Sequence, residues 1–233
     1  MTAMFATLFQ GPLAFLADNL VLGADARPFL PATALVEGEE LAPLLARFAR
    51  NYRRPEAIAV ATLWSKWHFS ILIPPVLAAN IIADWGLPIG IGEEIGVIPS
   101  EDGRTAALRL PHAGSRLTPA NVHERFAALV DGHLAPMIAA ISRASPLPPK
   151  VLWSNAGTIV EHSLGELEAF LGTGHPGLSQ ARAVLATRRW DDGTSNPLFE
   201  PVRYSTERGR RRRICCLRYR MDDLKLCKTC PLD

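Results

Sequence analysis

Much of the chain repeats apolar residues at the helical period. The clearest stripe occupies positions i, i+3, i+4 and i+7 and is formed by Leu41, Leu44, Leu45 and Phe48. This pattern predicts an amphipathic helix. Pro55 is placed to begin a second helix, because its fixed φ suits a first turn that needs no amide hydrogen. Pro74 and Pro75 lack amide hydrogens and are expected to end that helix and start another.

Three further helices are predicted in the second half of the chain. Thr118 followed by Pro119 has the form of an N-cap and a first helical residue, and Pro136 is expected to kink the helix that follows. Apolar spacing then indicates helices over about residues 150–171 and 178–189.

Two hairpins complete the pattern. Residues 91–98 and 104–110 have strand character and flank a Ser-Glu-Asp-Gly turn. A second hairpin is predicted between residues 202 and 214, where it leads into the cysteines. The predicted fold class is α+β, a mostly helical body with a small β component and a C-terminal cysteine-rich module. We place the body at residues 1–190 and the module at residues 191–233.

Neither long apolar stretch favours export or a membrane span. The first 17 residues carry no charge, so they lack the basic start of a signal peptide and are expected to pack on the body. Residues 67–83 form a second apolar run, but His68, Asn80 and the proline pair favour a buried helix. We therefore expect a cytoplasmic protein without a transmembrane segment, in which thiols stay reduced.

Composition is ordinary, but charge is unevenly distributed. The chain is 48% hydrophobic and 21% charged, which is typical of a globular protein and argues against a disordered one. Residues 201–233 carry ten Lys and Arg against four Asp and Glu, whereas the first 200 residues have a net charge of −4. The basic character is therefore confined to the tail.

All the cysteines lie in that tail, at Cys215, Cys216, Cys227 and Cys230. Four thiolates in a reducing compartment suit an iron–sulfur cluster or a tetrahedral zinc site. Because successive side chains tend to diverge, an adjacent Cys-Cys pair is a poor zinc chelate. The spacing thus favours iron–sulfur, with zinc and redox-active or free thiols left open.

Arginines surround the cysteines in sequence, and the candidates for tuning a cluster are Arg211, Arg212, Arg213 and Arg218. A cluster held by four thiolates is negatively charged, so nearby cations favour its reduced state and raise its reduction potential. They would also attract an acidic electron donor. Nucleic-acid binding is not expected, because no aromatic platform or recognition helix accompanies the basic run.

Three segments resemble a known family. The tail from Arg212 to Cys230, with its Cys-Cys-x10-Cys-x2-Cys pattern, resembles the C-terminus of the FhuF-type ferric-siderophore reductases. Trp-Ser-Asn-Ala-Gly at 153–157 looks like that family's Trp-Ser-Asn-x-Gly segment. Leu-Trp-Ser-Lys-Trp at 63–67, followed by Ile-Pro-Pro at 73–75, looks like its N-terminal helical motif.

The resemblance implies a cytoplasmic ferric-siderophore reductase, an oxidoreductase acting on a metal ion. Its cofactor would be a [2Fe–2S] cluster in the C-terminal module, held by the four cysteines, and the helical body would bind the siderophore. The implied substrate is a ferric hydroxamate-type siderophore, and the implied electron donor is a ferredoxin or a flavin reductase. Peripheral attachment at the inner membrane is left open.

A few other residues are candidates for the site. Trp153 and Asn155 are expected either to line the siderophore pocket or to support the cluster, against the plainer interpretation of a helix core. Trp64 and Trp67 lie three apart on a predicted helix, and core packing is the default for both, with a wall for the ligand as the alternative. The six histidines show no metal-ligand spacing, and no Ser/His/Asp or paired-carboxylate signature suggests acid–base catalysis.

Other classes of function stay open from sequence alone. The cysteines could form a structural zinc clamp, and the body could bind a siderophore without reducing it. An iron–sulfur sensor that uses the basic tail on nucleic acid is a third alternative. The identity of the metal separates the first of these from a reductase.

Overall fold

The structure is a computed structural model that describes residues 5, 8–23, 25–92, 94–119 and 121–233. The helices are α1 (Ala32–Val36), α2 (Leu41–Ala49), α3 (Ala57–Ala83), α4 (Val122–Leu129), α5 (Ala135–Ala144), α6 (Pro149–Leu171) and α7 (Pro176–Ala186). The strands are β1 (Leu20–Leu22), β2 (Leu30–Pro31), β3 (Trp85–Gly86), β4 (Gly96–Pro99), β5 (Thr105–Leu110), β6 (Ser115–Arg116), β7 (Val202–Ser205) and β8 (Gly209–Arg212). The predicted α+β class is confirmed.

The long helix α3 packs against α6 along the centre of the molecule. The predicted break at Pro74 and Pro75 is wrong, because α3 continues through both. Pro75 frees the carbonyl of Ile71, and the side-chain Nδ2 of Asn19 donates to that oxygen at 3.3 Å. Pro74 frees the carbonyl of Ser70, which is an exposed residue of the helix. Both freed acceptors therefore have an alternative to the missing helical bond.

By length and composition, α3 could cross a membrane. Of its most apolar window, however, 61% is buried inside the protein. Trp64, Phe69 and Leu72 are fully buried in the hydrophobic core. The burial fits the predicted core helix.

The helix after the β-sheet region begins later than predicted. The N-cap of α4 is Asn121 rather than Thr118, and its Oδ1 accepts the backbone N–H of Glu124 at 2.9 Å. The kink expected at Pro136 takes the form of one widened π-helical turn, Val130–Leu134, between α4 and α5. The carbonyl of Gly132, which Pro136 leaves without a helical donor, accepts the backbone N–H of Ile91 at 2.9 Å.

The main sheet has the strand order β1-β5-β4-β2. The predicted hairpin is present as the antiparallel pair β4 and β5, although its first strand is shorter than expected. The N-terminal strands β1 and β2, which were not predicted, extend the sheet on both sides, β1 parallel to β5 and β2 antiparallel to β4. The second predicted hairpin is β7 with β8, and it ends at Arg212.

Both ends of the chain contribute to one hydrophobic core. Phe9, Leu13 and Leu16 are buried there, as expected for an apolar N-terminal segment, while residues 1–4, 6 and 7 lie outside the described residues. From the C-terminal segment, Leu198 and Met221 join the same core. The cysteine-bearing segment is therefore anchored to the helical body by apolar packing.

Two histidines meet in this core without contact with solvent. The Nε2 atoms of His68, on α3, and His133, in the π-helical turn, lie 3.0 Å apart. Because the carbonyl of Ile89 can only accept, His133 Nδ1 donates to it at 2.7 Å, and a neutral His133 must then accept from His68 Nε2–H. His68 Nδ1 in turn accepts from the hydroxyl of Thr105 at 3.0 Å. This chain is complete with both rings neutral, and the bond between the two Nε2 atoms requires at least one ring to be neutral.

We predict that the histidine pair makes the protein sensitive to acid. Burial lowers the pKa of His133 to about 4, and burial together with His133 lowers the pKa of His68 well below its usual value. The unfolded state therefore binds more protons below pH ~6.5, so His133 alone should lower the free energy of unfolding by about 3 kcal/mol between pH 7 and pH 4, and His68 should increase that fall. Urea unfolding at a series of pH values measures this fall.

The control for that experiment is the exposed His162, whose replacement by Gln should leave the pH profile unchanged. In a double variant, His68→Leu with His133→Leu, the free energy of unfolding should change less between pH 7 and pH 4, even if the variant is less stable overall. NMR of the wild-type ring nitrogens provides a direct check. Protonation of both rings near pH 6.5 without loss of structure would contradict the prediction.

Candidate cysteine site and adjoining cleft

The four cysteines follow hairpin β7–β8 and lie close together as free thiols. The Sγ atoms of Cys216 and Cys227 are 4.0 Å apart, and the thiols of Cys215 and Cys230 interact with each other. Two sulfurs bound to one tetrahedral metal, at about 2.3 Å each, lie about 3.8 Å from one another. The separation of Cys216 and Cys227 therefore suits two ligands of one metal ion.

The thiols are arranged as two pairs rather than around one point. Among the residues that the structure describes, no three His, Cys, Asp or Glu side chains are grouped so that they could hold a single ion. A structural zinc site needs four ligands around one position, whereas a two-iron cluster needs two ligands for each iron. The two contacts, Cys216 with Cys227 and Cys215 with Cys230, match the two ligands that each iron of such a cluster needs.

The backbone around the adjacent cysteines is shaped for this arrangement. Leu217 adopts a left-handed φ of 57°, which is uncommon for a residue with a branched side chain. Its N–H donates to the Sγ of Cys215 at 3.4 Å. Such a bond stabilises the thiolate, which is the form that binds a metal. The turn at Leu217 therefore provides an amide that stabilises the Cys215 thiolate, at the cost of some backbone strain.

The cysteine pKa values are shifted in opposite directions within one pair. The hydrogen bond with Cys227, and then the charge of Lys66, lower the pKa of Cys216 to about 5. The same hydrogen bond raises the pKa of Cys227, and burial raises the pKa of Cys215. One thiolate is thus already favoured before any metal binds.

Two cations approach these sulfurs from the protein interior. Nζ of Lys66, on α3, lies 4.0 Å from the Sγ of Cys216. Arg212 is only 4% exposed, and although burial lowers its pKa, the thiols of Cys216 and Cys227 oppose that shift. The sequence predicted Arg212, but Lys66 was missed. Its signal was a single cation within the apolar Leu-Trp-Ser-Lys-Trp stretch.

The other predicted arginines occupy different positions. Arg211 pairs with Asp233 at 3.7 Å, and Arg213 pairs with Glu200 at 2.9 Å. Arg218 lies with Lys66 along a small cavity of about 300 Å³. These carboxylates partly offset the charges of Arg211 and Arg213. The predicted arginines therefore differ in how much uncompensated positive charge they carry.

Asn155 connects the cysteine loop to the two central helices. Its Oδ1 accepts from Arg212 Nη2 at 2.5 Å, and its Nδ2 donates to Oγ1 of Thr62 and Oγ of Ser65, both at 3.0 Å. Thr62 Oγ1 then donates to the carbonyl of Cys216 at 2.8 Å. One buried amide on α6 thus links α3, the end of β8 and the cysteine backbone.

Trp153 faces an open cleft of about 550 Å³ instead. The cleft lies between the start of α6 and the segment that leads to the cysteines, and Ile214, directly before Cys215, is part of its wall. The neighbouring residues Trp153 and Asn155 therefore belong to different parts of the site, one to the cleft and one to the hydrogen-bond network.

The tryptophans of α3 also differ. Trp64 is buried, stacks on His68 and donates to the carbonyl of Gly103 at 3.0 Å, as core packing predicted. The core interpretation is wrong for Trp67, which is 41% exposed and is covered by the guanidinium of Arg104, 4.3 Å from its ring centre. Cation–π contact with an arginine replaces core burial there.

Comparison with known proteins agrees with the resemblance seen in the motifs. Residues 62–212 match the family described as "Ferric iron reductase FhuF-like transporter", and residues 212–232, which include all four cysteines, match the "FhuF 2Fe-2S C-terminal domain". The chain belongs to this ferric iron reductase family, and its cofactor is a [2Fe–2S] cluster.

Among curated proteins, the chain is similar to a "Ferric siderophore reductase" of Escherichia coli (strain K12). The two are 26% identical over 199 residues, which cover 82% of this chain and 75% of that protein. The likeness therefore extends well beyond the cysteine segment into the helical body.

We predict that Asn155→Ala will loosen the cysteine loop. The substitution removes the acceptor of a buried guanidinium and the donor to two buried hydroxyls, so the free energy of unfolding should fall by about 3 kcal/mol. The visible absorbance of the cluster should also decay several-fold faster in air. Chemical unfolding and absorbance decay measure the two effects.

A matched control is Asn51→Ala, which removes hydrogen bonds to the carbonyls of Phe48 and Asp102 rather than to the cysteine loop. It should lower stability without changing cluster decay. Equal decay rates in the two variants would show that Asn155 is only a general stability residue.

Proposed function

We propose that this protein reduces siderophore-bound Fe³⁺ to Fe²⁺ by one electron and so releases the iron. The single observation that carries the proposal is the position of an open cleft directly beside the cysteine loop, since Ile214 lines that cleft and precedes Cys215. A chelate in the cleft would lie next to the redox centre. The assignment of this family to ferric iron reductases supports the same reaction.

The ligands that we propose for the cluster are the four cysteines in two pairs. Cys216 and Cys227 would hold one iron, because their sulfurs have the separation expected on a shared tetrahedral metal. Cys215 and Cys230, which interact with each other, would hold the second iron. The bound cluster would supply the single electron that the reaction needs.

The change in oxidation state explains release. Siderophores hold Fe³⁺ through hard oxygen donors, and Fe²⁺ has a lower charge and is bound far less tightly by such donors. No general acid or base is needed for electron transfer across the cleft wall. The protein's task is therefore to bind the chelate, hold the cluster and set its potential.

Lys66 and Arg212 are the residues that we propose set this potential, since Nζ of Lys66 lies 4.0 Å from the Sγ of Cys216 and Arg212 is buried beside the cysteines. Arg211, Arg213 and Arg218 would contribute less, because water or carboxylates screen their charge. We further propose Trp153 as a wall for the chelate and Asn155 as the support of Arg212.

The remaining parts of the proposal follow from the resemblance. Residues 1–190 would be the siderophore-binding body and residues 191–233 the [2Fe–2S] module. A ferredoxin or a flavin reductase would supply electrons, and the reaction would take place in the cytoplasm. The resemblance also predicts a hydroxamate-type siderophore as substrate.

We predict that Cys227→Ser will abolish reduction and leave chelate binding within about twofold of wild type. Serine is a poor ligand for this cluster, so the iron and acid-labile sulfide content should fall well below two of each per chain. Turnover of a ferric siderophore with dithionite-reduced protein measures the activity. Titration with the redox-inert Ga³⁺ chelate measures binding in the same preparation.

Analysis of the wild-type metal content is the control for that experiment. Two irons, two sulfides and a spin-½ EPR signal after reduction are expected in protein purified without oxygen. Normal turnover in the serine variant, or one zinc per wild-type chain, would contradict the proposed relay.

We predict that Lys66→Gln will lower the midpoint potential of the cluster by about 50–100 mV. Removing a shielded positive charge near a sulfur destabilises the more negative, reduced state. Arg213→Gln is the matched control, because Arg213 is exposed and paired with Glu200, and its shift should be less than half as large. Anaerobic redox titration followed by EPR measures both, and equal shifts would contradict a special role for Lys66.

A further inference from the structure

The cleft beside the cysteine loop contains three cations without an anionic partner. Among the described residues, the side chains of Lys150, Arg188 and Arg203 make no ion pair within 4.0 Å and no hydrogen bond, although all three line the cleft. A fourth cation, Arg213, is paired with Glu200, the acidic residue of the lining. Three positive charges are therefore left uncompensated around one concave surface.

The cleft combines these charges with a site of suitable size. Its volume of about 550 Å³ lies within the usual range for small-molecule sites. Trp153 and Phe199 add aromatic surface to the wall. Apolar walls with a few convergent polar groups are typical of a ligand site. Lys150 lies at the start of α6, Arg188 follows α7, and Arg203 lies on β7. Only folding therefore brings the three cations together.

We infer that this cleft selects anionic ferric chelates over neutral ones. The inference rests on the proposed function and names the substrate class for the same site. It departs from the hydroxamate-type substrate that the family resemblance predicts, because the charges of the cleft belong to this chain. Three dianionic catecholate groups leave a ferric complex negatively charged, whereas three monoanionic hydroxamate groups leave it neutral. Clustered like charges repel each other, so an anion that enters the cleft relieves that repulsion and gains attraction from all three cations.

A small anion explains the cleft better than an acidic protein donor does. The cations line a concavity, and a protein surface large enough for a specific complex would contact the flanks rather than the interior. The basic residues that are exposed on the module, such as Lys225 and Lys228, remain outside this cleft. If the cleft instead binds a protein electron donor, the experiment below will detect it.

The test uses the complete, cluster-loaded protein and calorimetric titration with two Ga³⁺ complexes. One is a tris-catecholate, which is anionic, and the other is an uncharged tris-hydroxamate. The anionic complex should bind at least tenfold more tightly at low salt, and this preference should shrink as ionic strength rises. Arg188→Gln and Lys150→Gln should each weaken the anionic complex about threefold to tenfold and change the neutral complex by less than twofold.

Arg116→Gln is the matched control, because Arg116 is an exposed cation on β6 that is not part of the cleft. It should leave both affinities unchanged. Equal affinity for the two complexes, or equal effects of Arg116→Gln and Arg188→Gln, would overturn the inference. So would cleft variants that leave chelate binding intact but slow electron delivery from a reduced ferredoxin.

Binding and reduction fail separately in this design. Ga³⁺ cannot accept the electron, so an anion preference in titration without turnover of any ferric chelate would remove the proposed reductase function and keep the inference about charge. Turnover of ferric chelates without an anion preference would remove the inference and keep the function.

Discussion

Burial of one arginine beside the cysteine thiols is the constraint on which the site depends. A guanidinium that is removed from water needs hydrogen-bond acceptors and a negative charge nearby. Arg212 obtains the first from the Oδ1 of Asn155 and the carbonyl of Ile214, and the second from the cysteines. The neutral amide also binds the hydroxyls of α3, so the cost of burying the charge is offset by a network that fixes the position of the cysteine loop.

The sequence predicted correctly the helices and hairpins that form through interactions between residues close together in the chain. The stripe at 41–48, helix 150–171, both hairpins and the cysteine spacing required only periodicity and turn chemistry. The proline pair of α3 was misjudged because the donor that satisfies Ile71 is Asn19, 52 residues away in the chain. The strands β1 and β2 are two or three residues long, too short for a periodic signal, and they form by pairing with β4 and β5.

The same distinction separates the parts of the site. Four cysteines with a specific spacing could be identified from sequence, because all four lie within 16 consecutive positions. Lys66 could not, because its proximity to Cys216 depends on how α3 packs against the C-terminal loop. The pairing of His68 with His133 is also a product of tertiary packing, and ligand spacing along the chain gave no indication of it.

Cations near the sulfurs and cations in the cleft would act on the two ends of the same electron transfer. Buried charge at Lys66 and Arg212 favours the reduced cluster, which by itself makes the electron harder to pass on. A chelate gains one negative charge when its iron is reduced, so the proposed cationic site would bind the reduced complex more strongly than the oxidised one. By linkage, that difference raises the potential of the bound chelate. Positive charge at the acceptor therefore compensates for positive charge at the donor, and the driving force depends on the balance between the two groups.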